Sequence, residues 1–311
     1  LSPRITSWAL FTTSLFIASI LACSSSDTTP KTLTTTGKDA GNVGDDTSEA
    51  GPVDPPPIDG GPAAGRVYAH TTDTLFVFEP FSRKLTEIGK FNCLQDGEAV
   101  IDIALDRTNE MYATTFTRFL HVDATSGACT ERGVATTLDY PNSLSFVPIG
   151  TVDPTQEALV GFASADGVDS DLYVRIDINT GAMTTIGRLN PVTSLMLYSS
   201  SGDLISLLRD SNKTYLTVRD RTIDSGVALD KLAEIDPKTG EIMRIIGDTK
   251  QGQIYGLGYW AGKAYGFSAD GRITEIDVTN GSSTVLLTHT VDGGAVPWYG
   301  AGVTTNAPIS P

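Results

Sequence analysis

With three histidines against 37 acidic residues, the chain's capacity for chemistry lies mainly in its carboxylates. Glu98, Asp102 and Asn142 flank two short β-rich runs, and a hard cation such as calcium takes several carboxylate and carbonyl oxygens as ligands. Held together, the three would bind calcium and polarise an ester or lactone carbonyl for hydrolysis. Asp96 and the aromatic pair Trp298 and Tyr299, which follows the flexible Gly293-Gly294, complete a candidate ligand face. In the plainer reading Asp102 is a hydrogen-bonded polar residue in a narrow channel, Glu98 is a solvated loop residue and the aromatics are core.

Other constellations are weaker. Asp166, Asp169 and Asp171 crowd one loop but lack the D-x-D-x-D-G order that wraps a cation. His70, His121 and His289 fall at no metal-ligand spacing. There is no G-x-S-x-G elbow for a nucleophilic serine. The charged stretch from Arg209 to Leu229, with Asp224 among its mixed signs, reads as a solvated loop or a long hairpin for partner contact. The sequence therefore assigns no catalytic residue and no metal set, and calcium is the only cofactor it raises.

A repeat must position these groups. Val122-Asp123-Ala124-Thr125-Ser126-Gly127, Ile176-Asp177-Ile178-Asn179-Thr180-Gly181, Ile235-Asp236-Pro237-Lys238-Thr239-Gly240 and Ile276-Asp277-Val278-Thr279-Asn280-Gly281 share one pattern. Phe78-Glu79-Pro80 opens a degenerate fifth copy, with Ser82-Arg83 where the others have Gly. Asp, Asn and Thr bond their own backbone in turns and Gly supplies a positive φ, so each copy predicts a hairpin. A second run alternates at period two, as strands do: Ile101-Asp102-Ile103-Ala104-Leu105, Asn142-Ser143-Leu144-Ser145-Phe146, Thr193-Ser194-Leu195-Met196-Leu197, Tyr255-Gly256-Leu257-Gly258-Tyr259 and Tyr299-Gly300-Ala301-Gly302-Val303. Its small second and fourth positions suit strands crowded around an axis.

The pattern resembles a β-propeller of the loose bacterial class that includes YVTN and NHL-type repeats, a likeness that implies fold and no particular chemistry. The expected architecture is all-β with five blades: residues 66–92 with 298–305, then 99–136, 142–189, 193–248 and 254–288. The C-terminal strand would close the first blade. A glycosidase would need converging carboxylates from several blades, and the positions equivalent to Asp102 are Ser143, Ser194, Gly256 and Gly300. The glycines near Gly256 sit in a strand and so form no phosphate cradle.

The N-terminus predicts an address. Arg4 precedes an uncharged stretch from Trp8 to Ala22, too short and too rich in Ser and Thr to span a bilayer readily. Ile20-Leu21-Ala22-Cys23 resembles the lipobox of bacterial lipoproteins, which implies cleavage before Cys23 and lipid on its sulfur. The resemblance implies an exported protein of the cell envelope, held at the inner or the outer membrane. Leu1 in place of Met is read as a non-ATG start or a truncation. The expected organisation is signal peptide 1–22, disordered Ser/Thr/Asp/Gly/Pro-rich tether 23–64, propeller 65–306 and tail 307–311. A tether of roughly 40 residues at about 5–6 Å × √n reaches ~35 Å.

A net charge of −15 argues against nucleic acid, whose phosphates recruit Lys and Arg. The expected partners are the membrane, through Cys23, and an envelope protein, glycan or small ligand. Binding without catalysis is the favoured function, and a calcium-dependent lactonase or esterase is the alternative. With Cys23 lipidated, Cys93 and Cys129 remain as a pair. An oxidising compartment favours their disulfide, whereas placement at opposite ends of outer strands in neighbouring sheets opposes it, since Cα atoms more than ~7 Å apart cannot be bridged.

Overall fold

The computed structural model describes residues 66–164, 170–195, 197–208, 210–222 and 229–310. The leader, Cys23, the tether, Asp166, Asp169, Arg209 and Asp224 lie outside them. The described chain is all-β, with five four-stranded antiparallel sheets arranged as a five-bladed propeller.

The first blade holds β1 (Val67–His70), β2 (Thr74–Glu79) and β3 (Lys84–Lys90). The second holds β4 (Asp102–Leu105), β5 (Met111–Thr114), β6 (Arg118–Val122) and β7 (Cys129–Val134). The third holds β8 (Leu144–Val147), β9 (Ala158–Ala163), β10 (Leu172–Ile176) and β11 (Met183–Arg188). The fourth holds β12 (Tyr198–Leu207), β13 (Lys213–Asp220), β14 (Lys231–Ile235) and β15 (Ile242–Asp248). The fifth holds β16 (Ile254–Trp260), β17 (Lys263–Ser268), β18 (Arg272–Asp277) and β19 (Ser283–Thr288). A small hairpin of β20 (Thr290–Val291) and β21 (Gly294–Ala295) follows. β22 (Gly300–Gly302) then pairs antiparallel with β1, with Ala301 opposite Ala69, and closes the first blade from the other end of the chain.

The inner strands touch in a ring, β22 to β4, β8, β12, β16 and back to β22. One expectation needs correcting. The inner strand of the fourth blade is not Thr193–Leu197, which lies in the loop before β12, with Leu195 95% exposed. That run imitates the inner-strand spacing, but the strand that pairs with β13 and lines the axis is the later Asp203–Leu207 end of β12.

The predicted turns form as their chemistry requires. The carbonyls of Asp123, Asp177, Asp236 and Asp277 accept the N–H of Gly127, Gly181, Gly240 and Gly281 at 2.7 to 2.8 Å. Each aspartate also caps the N–H two residues on, as Asp177 does for Asn179 at 2.8 Å. The four glycines have φ between +72° and +79°, and in the degenerate first copy Arg83 takes that region at +54°.

These turns also dock the blades. Every outer strand skips a residue near its end against its partner, at Ile88, Arg132, Ile186, Ile246 and Leu286, and β15 skips Met243 as well. In four blades a glycine follows. A Cβ on Gly89, Gly133, Gly187 or Gly247 would stand 1.8 to 2.3 Å from the carbonyl of Ser126, Thr180, Thr239 or Asn280 in the next blade's turn. The fifth outer strand has Leu287 instead, and it packs on the apolar cluster of Phe76, Phe78, Phe267 and Trp298 between the last blade and the first. Every seam carries an apolar cluster, but at this docking point the closing seam has a leucine where the other four bring backbone against backbone. Strands such as β9 are buried along their whole length, because each blade packs a neighbour on both faces.

Cys93 and Cys129 are joined as a disulfide with Cα atoms 5.4 Å apart. Twist accumulated across a blade carries the end of β3 onto the turn that opens β7. The two strand ends expected to be distant are therefore adjacent.

Candidate functional site

Innermost strands have one edge with no sheet partner, so their backbone N–H groups need acceptors at the axis. Two aspartates supply them. Asp102 opens β4 and its Oδ2 accepts the N–H of Leu144 on β8, while its Oδ1 accepts that of Ile103 at 2.7 Å. Asp203 lies on β12, and its Oδ2 accepts the N–H groups of Leu257 on β16 at 3.0 Å and Ala301 on β22 at 2.7 Å. Five inner strands are thereby tied by one pair of side chains, both wholly enclosed. The two carboxyls are near enough for the charge of Asp102 to act on Asp203.

Asp203 Oδ1 has no hydrogen-bond partner among the described residues. Burial pushes Asp102 up to about 7, and burial together with the Asp102 charge pushes Asp203 well above the carboxylate range. His70, on β1 beside the closing strand, donates Nδ1–H to the carbonyl of Thr71 at 2.8 Å. Its Nε2 finds no partner among the described residues, and burial lowers it to about 4, so the ring is neutral near pH 7. Gly300 separates the groups: a Cβ there would stand 2.5 Å from His70 Nε2 and 2.6 Å from Asp102 Oδ1. That is the crowding the small residues of the inner strands anticipate.

The remaining candidates do not converge with Asp102. Glu98 is held in the loop before β4 by Arg118 at 2.6 Å, in a nearly enclosed ion pair. Burial alone would raise it, but the N–H of Gln95, Thr115 and Arg118 together hold it below its usual value. Asp96 and Asn142 are exposed. Trp298 is fully buried, donates Nε1–H to the Gly271 carbonyl at 3.1 Å and meets Phe76 and Phe267 edge-on. Tyr299 is 36% exposed beside it. Among the described residues no three His, Cys, Asp or Glu side chains gather to hold a metal.

Sequence reasoning missed Asp203 and His70. Asp203 carried a usable signal, since Asp203-Leu204-Ile205 repeats the acidic-then-apolar start of Asp102-Ile103-Ala104. His70 carried none, because it lies on a second strand and reaches the axis only where β22 narrows to glycine.

The end of the ring where the inner strands begin is built from the loops leading into them and those between second and third strands. It carries Phe116, Val192, Leu195, Leu229, Val291 and Tyr299, six of the eleven exposed large apolar side chains among the described residues. Phe81 and Ile309 belong to the opposite end.

No protein-family model matches the chain, and no curated protein does. Solved structures do. A Bacteroides caccae protein of unknown function is 10% identical over 76% of this chain and 97% of its own, at a TM-score of 0.37. BamB from Moraxella catarrhalis is 15% identical over 71% of this chain and 69% of its own, at 0.31. A gluconolactonase from Xanthomonas campestris is 11% identical over 73% and 69%, at 0.40. The propeller assignment rests on the strand pairing described above.

Proposed function

We propose that the chain is a lipid-anchored propeller of the bacterial cell envelope that binds a protein, glycan or small ligand through the loop face. The observation that carries this reading is the gathering of exposed apolar side chains on that face, with Leu195 at 95% and Val192 at 83% exposure. Exposed apolar side chains gathered on one face, unlike ones scattered singly, are the mark of an interaction surface. The axis offers less. Both Asp102 oxygens accept backbone N–H groups, Glu98 is spent on Arg118, and Asn142 faces solvent, so the oxygen ligands of a calcium-dependent hydrolase are not assembled. The anchor rests on the lipobox-like Ile20-Leu21-Ala22-Cys23 and the tether rests on composition.

Site-specific photo-crosslinking in intact cells tests the binding face. A crosslinker at Val192 should capture a discrete partner and one at Phe81, on the opposite end, should not. Equal capture from both positions, or none from either, contradicts the reading. The mass of the mature N-terminus tests the anchor: Cys23 should be the first residue and should carry lipid.

A further inference from the structure

The turn that departs from the repeat is the one beside which the chain enters the ring. Four copies place Thr125, Asn179, Lys238 and Thr279 at the third position and glycine at the sixth, whereas the first places Phe81 and Arg83 there. Phe81 is 89% exposed, the most exposed aromatic side chain among the described residues. β1 pairs Val67 with Phe78, so Arg66 arrives at the end of blade one that carries this turn. The other end of β1 is at the loop face, where the His70 carbonyl accepts the N–H of Tyr299 at 3.0 Å.

Charge is divided the same way. Arg83 and Lys84 are exposed, and neither they nor Arg66 takes part in an ion pair among the described residues. The acids nearby are Glu79, which accepts the Ser82 hydroxyl at 3.0 Å, and Glu275 of the last blade, whose charge reaches Tyr265 as that of Arg83 does. At the loop face the balance is reversed. In the described loops into the inner strands Asp96, Asp139 and Asp292 are exposed and in no ion pair, Glu98 is spent on Arg118, and the one Lys or Arg, Lys250, lies 3.6 Å from Asp248. An anionic bilayer attracts cations within about a Debye length and accepts aromatic rings at the level of its headgroups. With a net charge of −15 the chain as a whole is repelled by such a surface, so close approach falls to the end that carries unpaired cations.

We propose that Phe81, Arg83 and Lys84, with Arg66 behind them, form a second membrane contact: the Phe81 ring enters the headgroup region of an anionic bilayer, the cations pair with its phosphates, and the loop face is turned outward to its partner. What brings the bilayer near is the anchor of the reading above, on which this contact rests. The contact also accounts for the degenerate turn. Thr or Asn at position 81 closes the turn in other copies and would bring nothing to a bilayer.

Quenching by brominated lipid tests it. With Cys93 and Cys129 joined, Cys23 is the remaining cysteine, and coupling it to a maleimide lipid holds the full chain on vesicles whether or not cells lipidate that residue. Tryptophan replaces Phe81 in one variant and Phe116, on the loop face, in another, and both sites are exposed enough to leave the core undisturbed. On vesicles of phosphatidylethanolamine and phosphatidylglycerol, brominated acyl chains should quench Phe81→Trp beyond the level of the native tryptophans and leave Phe116→Trp at that level. Adding Arg83→Glu with Lys84→Glu, or exchanging phosphatidylglycerol for phosphatidylcholine, should abolish the excess. No excess at Phe81, an equal excess at Phe116, or an excess that survives charge reversal or the neutral lipid overturns the contact. The mass of the mature N-terminus reports on the anchor separately. A chain that passes the vesicle test and carries no lipid on Cys23 in cells keeps the contact and loses the anchor.

Discussion

Asp203 on β12 accepts the backbone N–H of Ala301 on β22 at 2.7 Å, linking residues 98 positions apart. The bond ties the fourth blade to the strand that closes the first, so ring closure depends on a side chain as well as on the β1–β22 pairing. Asp203→Ala strips acceptors from the buried N–H groups of Leu257 and Ala301. Each unsatisfied buried donor costs about 1–3 kcal/mol, giving an expected loss of roughly 2–4 kcal/mol. For a domain of this size that is on the order of 5–15 °C in Tm, read by calorimetry near neutral pH. A variant that melts with the wild type would show that closure does not need the axial clasp.

The Cys93–Cys129 disulfide spans 36 residues of sequence. It fastens the loop before β4 together with the Glu98–Arg118 pair and the bond from Arg118 to the Cys93 carbonyl at 3.1 Å. Closing a loop of that length lowers the entropy of the unfolded chain by an amount worth about 3–4 kcal/mol. Replacing both cysteines with serine should lower the denaturant midpoint accordingly without changing the far-UV spectrum. Free-thiol titration of the denatured, unreduced domain should find neither of the two reactive.

The glycine seams make a sharper claim. A Cβ on Gly187 would lie 1.8 Å from the Thr239 carbonyl, so Gly187→Ala must push the third and fourth blades apart. Overpacking of this kind costs about 1–3 kcal/mol. Gly97, with open space around its Cα, meets no such barrier, although its φ of +78° adds its own strain. Gly294→Ala is the cleaner control, with a nearest atom 3.6 Å away and no left-handed backbone, and it should melt with the wild type.

How far the fold could be read from the sequence depended on how local each signal was. The Asp-x-Thr-Gly turns were legible because one aspartate and one glycine settle the geometry within six residues. Strand β22 was legible because the first blade lacked an inner strand. The inner strand of the fourth blade was not, because Thr193–Leu197 has the right spacing and only burial reveals that it is a loop. The disulfide was left open because its geometry comes from accumulated blade twist, which no local pattern encodes. At the axis, Asp102 was singled out for its channel-facing place, but its partner lay on the strand that had been misplaced. The carboxyl pair therefore looked like a lone aspartate.

The functional account turns on whether the axial carboxyls hold strands or a cation. Thermal melting of the intact domain in calcium and in EDTA separates the two directly. With both Asp102 oxygens accepting backbone N–H groups, of Leu144 and Ile103, the melting temperature should be the same in both. A rise of several degrees in calcium that disappears in Asp102→Ala would contradict the account and restore the metal-assisted hydrolase.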